Sequence, residues 1–478
     1  MQQVQENAQT LLDSIFEFCR RNEMAESTFG RRAVNDGKLV SRLRDGSRLK
    51  PETWDRVVHF IESHGGDAPA APDRSELHIL PGNRIAPMPQ PSSDNSSEKN
   101  FRFFDNRQKY LMFVNTCSEK DIVAKHAGME LSFIQPEPPA IRLFDGGIGD
   151  GTVLAKMLRH MHAQFPTMPF YVSGKEISLE DIRLTLGKMA DRLFEHPATV
   201  LVFTNMFYSE APWLTPKKAE AKKAMVWKEV ALKGGTAHGF DEQISELEDF
   251  LADNWQARHS PKTGNPIYEH PTVLVIYRED YRFLLHDVIP KPGEARADFD
   301  FVLASQPYRL RVPAEFKAKN VVVPLIRALR PSGRLLGIHS YGRDPGMEVI
   351  NKIWPDDNPF EAGRHEILSA VKEELGDDAR EYKFNAFSDA RSIFSYKMHT
   401  LPTEVDSSIG TSTLYAAWNA AAYVAQIEDD RLEESKNASY LQATKDILRK
   451  HNGLWFNDES YVVARRPQGS QYEAVMGG

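Results

Sequence analysis

An acidic side chain followed by alternating glycines is a combination that can bind a charged ligand through backbone. In "AIRLFDGGIGDGTVLAKML", Ala140 to Leu158, an apolar run ends in Asp145. Gly147, Gly149 and Gly151 follow at alternate positions, and a helix-like apolar pattern begins after them. Glycines permit a tight turn and let backbone approach a ligand with no Cβ in the way. Amides that open the following helix can receive negative groups. Two cofactor classes compete for such a turn. A dinucleotide site uses G-x-G-x-x-G to seat a pyrophosphate, and this spacing departs from that pattern. A carboxylate at position 145 repels a pyrophosphate and suits a cationic amino group.

The turn resembles motif I of the class I S-adenosylmethionine-dependent methyltransferases. The resemblance covers roughly residues 100 to 466 and is strongest from 140 to 342. It implies that Asp145, Gly146, Gly147, Gly149 and Gly151 pack against the amino-acid part of S-adenosyl-L-methionine. It implies that Glu176, at the end of "FYVSGKEIS", accepts hydrogen bonds from the ribose hydroxyls. Asn205 in "FTNMF" stands where the family often has an acid facing the adenine amino group; an amide oxygen can accept that bond too. Met206 is then placed to pack on the ring. "LRPSGRLLGIHSYG" is similar to the family's turn and fifth strand, with Ser332 in place of the first glycine.

Methyl transfer from a sulfonium needs alignment and exclusion of water, and a base only where the nucleophile is protonated. "SQPY" is similar to the [N/D/S]-P-P-[Y/F/W] element of amino-methyltransferases, with Gln306 replacing its first proline. That makes Ser305, Gln306 and Tyr308 the expected acceptor contacts. Tyr308 and His339 are the candidate catalytic residues. For Tyr308 a core position with a satisfied hydroxyl stands beside the substrate contact; for His339 a structural role stands beside a general base.

These residues need a scaffold that brings strand ends together. Strand-length apolar runs alternate with helical segments in "AIRLFDGG", "MPFYVSGKEI", "ATVLVFTNM", "FDFVLASQPY" and "GRLLGIHSY". Strands buried on both faces read this way, and the alternation predicts a parallel α/β sheet. The expected fold class is therefore α/β, a Rossmann-like methyltransferase sheet over residues 99–478 with helical insertions at 207–270 and 405–450. The first insertion begins basic, with Lys217, Lys218, Lys222 and Lys223, and turns acidic at "DEQISELEDF". It is expected as a solvated helical pair or a lid. The second holds two helix patterns, and "LWFNDESYVVARR" supplies a late strand.

Residues 1–64 are expected as an all-α bundle, and 65–98, rich in Pro, Gly, Ser and Ala, as a linker. Ala33, Gly37 and Leu43 have the spacing of a helix-turn-helix, and the segment from 8 to 64 resembles the repressor-type family of that name. Residues 31–50 hold seven basic side chains against Asp36 and Asp45. Lys38, Ser41, Arg42 and Arg44 are the candidate DNA contacts, but residues 1–64 as a whole balance ten basic against ten acidic, and a lid or interaction module is the alternative reading.

The 478 residues are 41% hydrophobic and 26% charged, with a net charge of -8, so no broad pull towards nucleic acid or an acidic membrane exists. Cys19 and Cys117 are the only cysteines and form no C-x-x-C pair, so neither a disulfide framework nor a structural zinc is expected, and no metal is. Nothing reads as a signal peptide or a membrane span, and a cytoplasmic protein is expected. Homo-oligomerisation stays open. The reading that results is S-adenosylmethionine-dependent methyl transfer to a small molecule in a covered pocket. Two others stand beside it: a DNA amino-methyltransferase positioned by the N-terminal module, and a transcription regulator that senses the cofactor without catalysis.

Overall fold

The computed structural model describes residues 107–261, 265–399, 410–428, 431–432 and 439–467, and nearer the N-terminus 11–12, 14–16, 18–19, 26–34, 39–44 and 51–64. The chain divides into two compact units, Met1–Asp94 and Asn95–Gly478.

The first unit carries helices Glu26–Val34, Leu39–Arg44 and Pro51–His64. Pro51 opens the third, where its missing N–H would have had no helical partner. Ala33 and Leu43 bury in one cluster with Ile15, Phe29, Leu39 and Val57. The rings of Phe18, Phe29 and Phe60 pack with centroids 5.5 to 5.7 Å apart. Lys38 and the linker 65–98 lie outside the described residues. Ser41, Arg42 and Arg44 fall on the second helix, and their side chains also lie outside the description.

The second unit is built on a ten-stranded sheet. Its strands are β1 (Ile141–Asp145), β2 (Phe170–Lys175), β3 (Thr199–Thr204), β4 (Val226–Leu232), β7 (Thr272–Arg278), β8 (Phe299–Ser305), β9 (Leu329–Ser340), β10 (Tyr382–Asn385), β11 (Ile393–Lys397) and β12 (Trp455–Arg465). A separate hairpin pairs β5 (Ala257–His259) with β6 (Pro266–Tyr268). The order is β10-β12-β9-β8-β1-β2-β3-β7-β4, with β11 on β12. From β3 to β9 the strands run parallel. β12 runs antiparallel to both β9 and β10. This is the 3-2-1-4-5-6 order of a doubly wound sheet with one reversed strand inserted before the last. The order turns back between β1 and β8, which is where such sheets open a crevice at their carboxyl ends.

Both faces are covered. Leu143, Val172, Leu201, Leu303 and Leu336 point into one core, and Phe144, Tyr171, Val202, Val302 and Leu335 into the other. A third cluster packs the helices Gly410–Val424 and Ser439–His451 against Phe456 and Tyr396.

The segment 207–270 departs from the expected helical pair. It contains helices Ala237–Ser245 and Glu248–Asn254, but also β4 and the β5–β6 hairpin. β4 pairs in parallel with β7, and β7 runs antiparallel to β3, so the sheet gains two strands. The charges of β4 explain the misreading: Lys228 and Glu229 stand exposed on an edge strand, which has no second apolar face to show in its sequence. Among the described residues no helix is long and apolar enough to cross a membrane.

Candidate functional site

The glycine turn lies at the β1 end of the crevice. Gly149 and Gly151 have φ of +57° and +77°, the left-handed region that glycine enters without strain. A Cβ on Gly149 would stand 2.6 Å from the Tyr110 hydroxyl, and one on Gly151 2.7 Å from the Cα of Thr185. These two glycines are therefore required by the protein's own packing. Gly147 differs. It is exposed, and a Cβ there would meet only the Ser305 carbonyl, at 3.8 Å. The open side of the turn thus faces the end of β8 across the crevice.

Carboxylates hold the turn from inside. Asp145 is buried and accepts from Gly147 N–H at 3.1 Å. Burial pushes its carboxyl up to about 6, against the Gly147 hydrogen bond and the nearby Lys120 ammonium. Glu176 accepts from Gly149 N–H at 2.9 Å with one oxygen and from Ser178 N–H at 2.8 Å with the other. Trp255, fully buried, donates from Nε1 to the Glu176 carbonyl at 2.9 Å. The 207–270 segment thereby fixes a residue that holds the turn. Tyr208 donates to the Pro307 carbonyl at 2.8 Å, and the Lys175 ammonium lies 4.9 Å from its ring centre. Tyr208 thus ties the segment after β3 to the one after β8.

Tyr308 and His339 come together, although 31 residues separate them. The Tyr308 hydroxyl lies 2.6 Å from His339 Nδ1, and His339 Nε2 lies 2.7 Å from Glu459. Glu459 also accepts from Arg364 N–H at 2.8 Å and from its guanidinium at 2.7 Å. Arg364 is paired in turn with Asp389. Burial pushes the Glu459 carboxyl up, but the hydrogen bonds from His339 and Arg364 outweigh it and hold it at about 2. Burial pulls the imidazole below its ordinary value despite Glu459. We assign a neutral imidazole and an ionised Glu459. The carboxylate can only accept, so Nε2 carries the proton and Nδ1 accepts from Tyr308. Lys317 lies 5.1 Å from the centre of the Tyr308 ring and donates to the Leu310 carbonyl at 2.9 Å; burial pulls its ammonium down to about 8.

Gln306 sits at φ +48° beside them. Its amide donates to Asp458 at 3.3 Å and accepts from Ser340 N–H at 3.2 Å. Ser305 is half-buried at the end of β8.

Asn205 and Met206 are placed otherwise than the family resemblance implies. The Asn205 oxygen accepts from Thr272 N–H at 2.8 Å, and its amide donates to the His270 carbonyl at 2.9 Å. The side chain clamps the start of β7 and is 1% exposed. Met206 is fully buried in the core that holds Phe144 and Tyr171. Reasoning along the chain also missed Glu459, Arg364, Tyr208, Tyr110 and Trp255. Each reaches the site from another strand, helix or segment, and no local spacing marks any of them.

No family model matches this chain, and no curated protein does. Solved structures that overlap it include a geranyl diphosphate methyltransferase in complex with SAM, at 13% identity over 72% of this chain and 85% of that one, TM-score 0.26. The [4+2]-cyclase SpnF overlaps at 14% identity over 73% and 80%, TM-score 0.26. The Haemonchus contortus phospholethanolamine N-methyltransferase 2 overlaps at 10% over 77% and 61%, TM-score 0.23. Overlap this slight assigns no chemistry.

Proposed function

We propose that this chain is an S-adenosylmethionine-dependent methyltransferase acting on a small molecule. The observation that carries the reading is the turn after β1. It stands at the switch point of a doubly wound sheet, its carboxylates are already set, and one glycine, Gly147, is left open towards β8. The residues fit the cofactor in charge and shape. Asp145 suits its ammonium group, the bare backbone at Gly147 admits its amino-acid part, and Glu176 keeps lone pairs beyond the two it uses. Asn205 and Met206 have no part in this reading. When bound, the cofactor supplies an electrophilic methyl group.

The chain's own residues provide placement and proton handling. Tyr208 and Trp255 brace the crevice through Pro307 and Glu176. Tyr308 faces His339 through a short hydrogen bond, so a proton arriving at the hydroxyl has an acceptor at Nδ1. Glu459, held by Arg364, stabilises the imidazolium that would form. Methylation of DNA is the second reading; the charge excess of residues 31–50 favours it.

Isothermal titration with S-adenosylhomocysteine tests the proposal, with 1:1 binding expected. Absence of binding by the folded protein would refute it. Binding without turnover on any acceptor would favour a sensor. Transfer to duplex DNA would favour the second reading.

A further inference from the structure

Resting on the methyltransferase reading, we propose that the methyl acceptor is a cationic amine, and that Asp458 and Glu119 receive its N–H groups at the carboxyl edge of the sheet. Asp458 lies on β12 and is 0% exposed; Glu119 opens the helix Glu119–Glu130 and is 3% exposed. Among the described residues nothing donates a hydrogen bond to Asp458 Oδ2. A buried carboxylate oxygen without a donor costs free energy comparable to a lost charged hydrogen bond. Asp458 Oδ2, with Glu119 in the same electrostatic neighbourhood, is a standing demand for an N–H donor.

The local charge points the same way. Lys120 lies within electrostatic reach of Glu119, Asp145, Asp150 and Asp458. Its ammonium is ion-paired with Glu119 Oε2 at 3.1 Å, so Asp458 Oδ2 is the acid oxygen furthest from being satisfied. Asp344 adds a further acid near Asp458. Acidic groups outnumber the two ammonium groups, Lys120 and the Lys188 paired with Asp150, so this neighbourhood suits a cation better than an anion. Burial pushes the Asp458 carboxyl well above its ordinary range, with Glu119 adding to the rise and Lys120 opposing it. An arriving ammonium supplies the counter-charge that burial withholds. Gln306 orients the receiver, since its amide donates to Asp458 Oδ1 and leaves Oδ2 to the ligand.

Transfer then requires the ammonium to lose one proton, which the Tyr308–His339 pair takes up as proposed above. The freed nitrogen lone pair forms the N–CH3 bond, and the electrons of the broken C–S bond go to sulfur. The products are a methylated ammonium and a neutral thioether.

Thermal unfolding with butylammonium chloride as probe, and butan-1-ol as its uncharged counterpart, tests the site on the full chain. The melting temperature is expected to rise with butylammonium and not with butanol. Asp458→Asn is expected to raise the melting temperature of the ligand-free protein, because it removes an unpaired buried acid, and to abolish the butylammonium effect. Glu119→Gln is the second variant should Asp458→Asn fail to fold. No rise with butylammonium, or an equal rise in a folded variant, overturns the proposal. So does a rise that vanishes at saturating S-adenosylhomocysteine, which would give the carboxylates to the cofactor's own ammonium group. Calorimetric binding of S-adenosylhomocysteine tests the methyltransferase reading separately. Its absence would overturn that reading while the butylammonium result still decides whether the pair takes an amine.

Discussion

Tyr308 and His339 share a 2.6 Å hydrogen bond between the loop after β8 and the end of β9, and Glu459 on β12 holds the far side of the imidazole at 2.7 Å. Three parallel or reversed neighbours in the sheet thus align one hydrogen-bonded chain, the proton path of the proposed reaction. Tyr308→Phe removes its first member without opening a cavity. We expect unchanged S-adenosylhomocysteine binding and a kcat lowered about 100-fold, the scale of one acid–base group. Steady-state and titration data on one preparation check this. An unaltered kcat would make Tyr308 a packing residue.

Glu459 gives the pH dependence of stability a definite sign. Its folded pKa, about 2, lies below the unfolded 4.5. Its contribution is therefore present above pH 4.5 and lost as pH falls towards 2. The difference corresponds to roughly 3 kcal/mol at most. Glu459→Gln should cost a similar amount at neutral pH, because Arg364 loses its buried partner. It should also flatten the decline of stability between pH 5 and 3, read from urea unfolding at each pH.

The glycines of the turn separate by what they face. Gly149→Ala places a Cβ 2.6 Å from the Tyr110 hydroxyl at positive φ, so a lower melting temperature is expected with or without ligand. Gly147→Ala meets nothing nearer than 3.8 Å. Its melting temperature should match the parent, while affinity for S-adenosylhomocysteine falls about tenfold, or ~1.4 kcal/mol. Equal affinity in Gly147→Ala would place the ligand elsewhere.

Asn205→Ala leaves the buried Thr272 N–H without its acceptor, while the His270 carbonyl keeps the Thr272 hydroxyl at 3.2 Å. One unmet buried donor costs about 1–3 kcal/mol. Stability should fall by about that amount, with hydrogen exchange of Thr272–Arg278 rising first because β7 loses its clamp. Cofactor affinity should change little in the protein that remains folded.

How much of this was legible in the sequence depends on the range of the force involved. Five runs from "AIRLFDGG" to "GRLLGIHSY" were readable as strands because burial on both faces leaves a continuous apolar signature. The turn at Gly149 and Gly151 was readable because only glycine takes those angles cheaply. The meeting of Tyr308 with His339 was not, since neither position carries a local signal of the other. Strand pairing between β8, β9 and β12 creates it. The same holds for Asn205. Its residue type fitted a ligand contact, and only the docking of β7 against β3 turned it inward to serve backbone. Sequence determined the five core strands and the glycine turn, which depend on neighbours along the chain. Tertiary structure decided which buried charges found partners, because that depends on groups more than a hundred residues apart, as Glu459 and His339 are.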